Sequence, residues 1–309
     1  MSAHPTLALL AVALAACSGA SCASDPRRPD GGAASAAGDS VTPRFAWPDD
    51  FHAQVALDHR TVREGDSSTR AVVRHQLTTE RKDGEIWVRV SGIEGQGDEP
   101  GLQLNLAIGE KLVQVVGRDG AYKRAEGLDE AIAILRRAAG RETDGDKARE
   151  SIRRQVRDDW EQTVGAWRGR RLSAGQVVKA EQEGALALLP SVVGTMEVEY
   201  LFRGRVPCEE GQAEARCVEL ARSVRPAKKS AREILAQVAA GLPAQQASTL
   251  RAVEASSETV LVTEPDTLVP HRLLVRDQLS LTVEAAEGAQ RSVTERSEDS
   301  YHFAAETAL

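Results

Sequence analysis

The side chains able to do chemistry in this chain are six histidines, four cysteines and a few adjacent acidic pairs. Their spacing assembles no catalytic or metal-binding pattern. The histidines are His4, His52, His59, His75, His271 and His302. A helical zinc site needs two of them one turn apart, and none are. His52 and His59 differ by an odd number of positions, so in a strand they point to opposite faces. His75 lies among alternating apolar residues and reads as a hydrogen-bonded core histidine. Gly92-Ile93-Glu94-Gly95-Gln96-Gly97 lacks the strand-to-helix setting of a dinucleotide loop and reads as a connection between strands. There is no Gly-x-Ser-x-Gly elbow. Asp49-Asp50, Asp158-Asp159 and Glu209-Glu210 are sequence neighbours, which in a strand face opposite ways, so each pair reads as solvated surface. Arg225, Lys228, Lys229 and Arg232 cluster near a helix start. They read as a solvated helix end, with anionic lipid head groups as the alternative contact. These readings imply no catalytic residue, no cofactor and no metal site.

The cysteines divide by context. Leu7 to Ala16 is an apolar run, too short for the roughly 20 residues that span a bilayer and suited to the core of a secretory signal. It ends in Leu14-Ala15-Ala16-Cys17. That pattern is the lipobox, and this N-terminus resembles those of bacterial lipoproteins. The resemblance covers the first 20 or so residues. It implies that residues 1–16 are a signal peptide, that Cys17 receives a diacylglyceryl group, and that the chain is cut before Cys17 and acylated on the new amine. Ser18 at the next position favours the outer membrane over the inner. An ordinary signal, cut near Ala20 or Ala23, is the alternative.

Cys208 and Cys217 enclose Glu-Glu-Gly-Gln-Ala-Glu-Ala-Arg, which suits a hairpin tip. In an oxidising compartment they close a small loop as a disulfide; otherwise they remain two thiols. A metal site there lacks two further ligands in the nearby sequence. Cys22 is left unpaired.

From Cys17 onward the chain is long enough for one large domain or two small ones. The net charge of −7 is modest and the two signs are interspersed, which disfavours a nucleic-acid surface. Aromatics are only 4%, which disfavours a sugar-stacking cleft. Residues 17–44 carry few large apolar side chains and are expected to be a disordered tether. The folded part is expected over 45–309. From there the apolar period is two: Val55 and Leu57; Val73, His75 and Leu77; Ile86, Val88 and Val90; Leu102, Leu104, Leu106 and Ile108. Gly65-Asp66, Lys82-Asp83-Gly84 and Gly109-Glu110 read as turns.

The period then lengthens. Leu128 to Ala139 predicts a short helix. Residues 144–168 predict a longer one, with Ile152, Val156, Trp160, Val164 and Trp167 as its apolar stripe and Arg153, Arg154, Arg157, Asp158 and Glu161 on the wet face. The tryptophans read as core. Strands resume through Met196, Val198, Tyr200 and Phe202, then Val218 and Leu220. Ser230 to Glu233 has the form of a capping box opening a helix that Gly241 and Pro243 stop. A last meander runs from Thr259 to Phe303, with turns at Pro265-Asp266 and Glu287-Gly288.

The expected fold is α+β: antiparallel meanders, either one curved sheet or two similar halves (45–172 and 173–309), packed on two to three helices. That order resembles the curved-sheet fold of periplasmic lipoprotein carriers, in architecture alone. The expected role is a non-enzymatic envelope lipoprotein, held on the membrane by its acyl chains, binding an envelope protein or an apolar lipid ligand. The alternative is an envelope hydrolase whose His59, His271 and nearby carboxylates converge only in the fold.

Overall fold

Alternating apolar residues carry most of the described residues into strands. The computed structural model describes residues 39–64, 68–99, 101–139, 144–186, 188–284 and 289–305. The elements run β1 (Ser40–Val41), β2 (His52–Arg63), β3 (Thr69–Lys82), β4 (Glu85–Gly97), α1 (Leu102–Gly109), β5 (Val113–Gly117), β6 (Tyr122–Glu126), α2 (Leu128–Ala139) and α3 (Gly145–Trp160). They continue with β7 (Leu172–Ser173), β8 (Val177–Leu186), β9 (Leu189–Val206), β10 (Cys217–Pro226), α4 (Ala231–Ala240), α5 (Ala244–Thr249), β11 (Leu250–Thr263), β12 (Pro270–Glu284) and β13 (Gln290–Ala305). No helix among the described residues is long and apolar enough to cross a membrane.

Eleven strands form one antiparallel sheet in the order β6-β5-β4-β3-β2-β13-β12-β11-β10-β9-β8. Two meanders therefore meet where the early strand β2 pairs with the last strand β13, with His59 opposite Asp299. One sheet runs through both halves of the chain. The helices cover one of its faces. The α+β expectation is corrected: strand residues outnumber helical ones by more than two to one, and the molecule is largely a β fold. The strands are longer than their apolar runs suggested. Thus β12 continues through Arg276-Asp277-Gln278, and β9 spans 18 residues.

The segment with the cleanest alternation is the one that is not a strand. Leu102 to Gly109 is helix α1. Two interleaved i, i+4 pairs mimic a period of two: Leu102 and Leu106 pack on the sheet, whereas Leu104 and Ile108 join the helices α2 and α3. A helix wedged between two cores has two apolar stripes. Gly95 belongs to this contact, whereas Gly97 lies against the neighbouring strand β3. A Cβ on Gly95 would lie 2.6 Å from the Leu106 Cδ1, and one on Gly97 would lie 2.3 Å from the Arg70 carbonyl oxygen.

Helix α3 is capped by Asp144, whose carboxylate accepts from the amides of Asp146 and Lys147 (3.2 Å each). Its first turns bury Ala148, Ile152 and Val156 against α1 and α2. It then widens into a π-helical turn, Glu161–Gly165, in which the Ala166 amide reaches back to the Glu161 carbonyl (2.9 Å). The tryptophans are core, as expected. The Trp160 indole donates to the Gly120 carbonyl (2.8 Å) and packs on Trp47 and Phe45, while Trp167 meets Tyr200 edge-on. Ser230 makes no capping bond to its helix; its hydroxyl accepts from the Thr195 amide (3.2 Å), so the expected capping box is absent.

Candidate functional site

The side of the sheet facing the helices changes character along its strands. One row of cross-strand neighbours is dry: Leu57, Tyr301, Leu273, Leu261, Leu220 and Phe202. Two residues further along each strand the inward row is His59, Asp299, Val275, Thr259, Arg222 and Tyr200. The next holds Thr61, Ser297, Asp277 and Ser257 before it becomes apolar again at Val224 and Val198. The strands thus place a polar band, one of whose members is a guanidinium, on a face that elsewhere is hydrocarbon.

The end of α3 and its π turn roof this band. Between roof and sheet lies a cavity of about 660 Å³. Gln155, Asp158, Asp159, Glu161 and Gln162 come down from the roof. Leu186, Leu188, Pro190 and Met196, from the β8–β9 edge, form an apolar flank. Thr61 of β2 faces the same space, so the sheet curls around it. Among the described residues, eight carboxyl side chains and four arginines line the cavity.

Burial raises the pKa of several of those carboxyls. Asp159 is 7% exposed, and its pKa is pushed up to about 8, first by burial, with Asp158 adding and the Gln155 amide (2.8 Å) opposing. Burial raises Asp277 as well, against the hydroxyls of Ser257 and Ser297 that hydrogen-bond it. Asp158 and Glu161 are also raised by burial, with nearby arginines opposing. Asp299 is pushed well above the usual carboxylate range by burial, then by Asp277 and Asp159. Its Oδ1 hydrogen-bonds His59 Nδ1, and His59, 1% exposed, is held down to about 2 by burial. Both shifts favour an uncharged pair, in which the carboxyl proton is shared toward Nδ1.

Arg222 is the outlier. It is 6% exposed, lines the cavity, and its Nε meets no hydrogen-bond partner among the described residues. Arg203 and Arg276, on the outer face of the same sheet, are engaged: Arg203 with Glu219 and Glu258, Arg276 with Glu298.

The residues that sequence singled out distribute as follows. Cys17, Cys22 and His4 lie outside the described residues, as do the expected turns at Gly65-Asp66 and Glu287-Gly288. Cys208 and Cys217 are joined (S–S 2.06 Å) where β9 turns into β10. The fold brings His271 beside them, which the linear sequence hid, but both sulfurs are committed to each other. His75 is buried, with burial holding its imidazole down to about 4. His52 and His302 are exposed. His59 and His271 do not converge. His271 lies four residues along β12 from the row of His59, roughly 13 Å at 3.3 Å per residue, beside Glu264 (3.5 Å).

Asp158-Asp159 corrects the surface reading of acidic pairs. On a helix, neighbours are about 100° apart rather than 180°, so both can reach one cavity. Asp158 and Glu161, expected on the wet face of α3, roof it too. The other two acidic pairs are exposed. Arg222, Asp277 and Asp299 were missed. Their signal was a charge at a position of apolar parity: Leu220-x-Arg222-x-Val224, Val275-x-Asp277-x-Leu279 and Asp299-x-Tyr301.

An open, curled antiparallel sheet with a helical roof over a partly polar cavity is thus the class that fold and site define. No family model matches the chain, and no curated protein matches it in sequence. Among solved structures it is similar to one described as lipid-protein interactions in lipovitellin. That match has a TM-score of 0.42 and 8% identity, over 85% of this chain. The chain spans 26% of the lipovitellin chain.

Proposed function

We propose that this protein is an envelope lipoprotein, anchored through acyl chains on Cys17, that binds an amphipathic ligand between its sheet and the α3 roof and catalyses no reaction on it. The observation that carries this reading is the cavity. Its volume of about 660 Å³ falls within the range of small-ligand sites. Its walls divide into an apolar flank at Leu186, Leu188 and Met196 and a polar band at Arg222, Asp277 and Asp299. A wholly apolar ligand would strip water from that band and return no hydrogen bonds, so a ligand with a polar head suits it better. The His59–Asp299 pair does not favour a hydrolase, since the imidazole is sealed away from the cavity. Two acyl chains at Cys17 suffice for stable membrane attachment, at roughly 0.8 kcal/mol per buried methylene.

The test is mass spectrometry of protein isolated from membrane fractions. The mature N-terminal peptide is expected to carry acyl chains on Cys17, and Cys17→Ser is expected to lose both the modification and membrane attachment. Organic extraction of the soluble Cys17→Ser protein is expected to release an amphiphile near one equivalent. An unmodified terminus beyond Cys17 overturns the anchor, and an empty extract overturns the ligand.

A further inference from the structure

Resting on that reading of the cavity, we infer that Arg222 is a seat for an anion: the ligand carries a phosphate or carboxylate group that docks on this guanidinium, with its apolar part along the β8–β9 flank. A guanidinium offers five donors in a fixed fork and does not lose its charge in proteins. Buried arginine is accordingly found paired, because an unpaired buried charge is costly. Arg222 is 94% buried by its 6% exposure, and no hydrogen bond or ion pair to it occurs among the described residues. The carboxyls that act on it, Asp158 and Glu161, do so across the cavity from the roof without reaching ion-pair distance. The arrangement leaves a charged fork directed at the cavity rather than at a neighbour.

The surroundings suit an anion more than their acid count suggests. On the same sheet face the cross-strand neighbours of Arg222 are Tyr200 and Thr259, both neutral. Asp159 is among the more buried of the cavity carboxyls, and burial favours its protonated form, which can donate to an anionic oxygen. Tyr200, Met196 and Leu186 continue from Arg222 toward β8 and give hydrocarbon for a tail. A bidentate contact from arginine to phosphate or carboxylate is the strongest such contact available to a protein.

The experiment is a calorimetric titration of the full chain, as wild type, Arg222→Gln and Arg222→Met, with three probes. These are dodecyl phosphate, an uncharged dodecyl ethylene-glycol ether and inorganic phosphate. Wild type is expected to bind dodecyl phosphate at least tenfold more tightly than the uncharged ether. Both variants are expected to lose that preference while keeping affinity for the ether. Because removal of an unpaired buried charge does not harm packing, Arg222→Met is expected to melt at or above the wild-type temperature, so lost binding is not lost folding. Equal wild-type affinity for the two amphiphiles, or a preference that survives in the variants, overturns the anion seat and leaves the amphiphile cavity standing. Inorganic phosphate binding as tightly as dodecyl phosphate, and only when Arg222 is present, supports the seat and overturns the amphiphile reading. No binding of any probe overturns both.

Discussion

Asp159 sits under the roof with one oxygen on the Gln155 amide (2.8 Å) and little access to water, which is why its proton is hard to remove. A carboxyl with a higher pKa in the fold than in the unfolded chain stabilises the fold fully at low pH. That contribution is lost as pH rises from the unfolded value near 4 to about 8. From this group alone the loss is about 1.4 kcal/mol per pH unit across that window. His59 and His75 act in the opposite sense. Their folded values, about 2 and about 4, lie below the unfolded 6.5, so their contribution is complete above 6.5 and lost as pH falls. The two effects oppose each other between pH 4 and 6.5, so the variant comparison is the diagnostic one. Asp159→Asn is expected to be more stable than wild type at pH 8, with the difference shrinking toward pH 4, as read by urea unfolding at each pH. A constant difference across the range contradicts the raised pKa. At this scale the site was only partly legible. A charge on the apolar parity of a strand can be seen in Arg222 and Asp299, but whether it meets a partner depends on strands up to 240 residues away in sequence.

The elements show where local pattern suffices and where it fails. The hairpin joining β9 to β10 was legible because Cys208 and Cys217 flank a polar segment containing Gly211, which adopts a positive φ of 86°. Opening that loop in the Cys208→Ser, Cys217→Ser double variant is expected to cost about 2–3 kcal/mol by chain entropy, measured as a lower urea midpoint with unchanged slope. An unchanged midpoint would mean that Val206 and Val262, packed beside the disulfide, hold the hairpin alone. Helix α1 was illegible for the opposite reason. Its alternation is real, but it serves two cores rather than the two faces of a strand, and only the packing of α2 and α3 around Ile108 reveals this. Helix α3 was legible over its whole apolar stripe. Its π turn was not, since a single displaced hydrogen bond leaves no mark on side-chain spacing.

Across the whole molecule the organising contact is the pairing of β2 with β13. It joins the ends of the described fold and sets His59 against Asp299 at the centre of an eleven-stranded sheet. Two meanders were legible as alternation. Their union into one sheet was not, because strand order between distant segments is decided by shared burial rather than by either segment alone. The curl of that sheet places a polar band opposite the α3 roof and an apolar flank at the β8–β9 edge, and it is this division that suits an amphiphile.

The most direct measurement is a saturation titration of a fluorescent fatty amphiphile into wild type and into Ala255→Trp, which fills the cavity from the β11 wall, with Val177→Trp on the exposed outer edge as control. Saturable one-to-one binding by wild type and the control, weakened at least tenfold in Ala255→Trp, is the expected result. Equal binding by all three proteins would place the probe on the outer surface and contradict the account of the cavity.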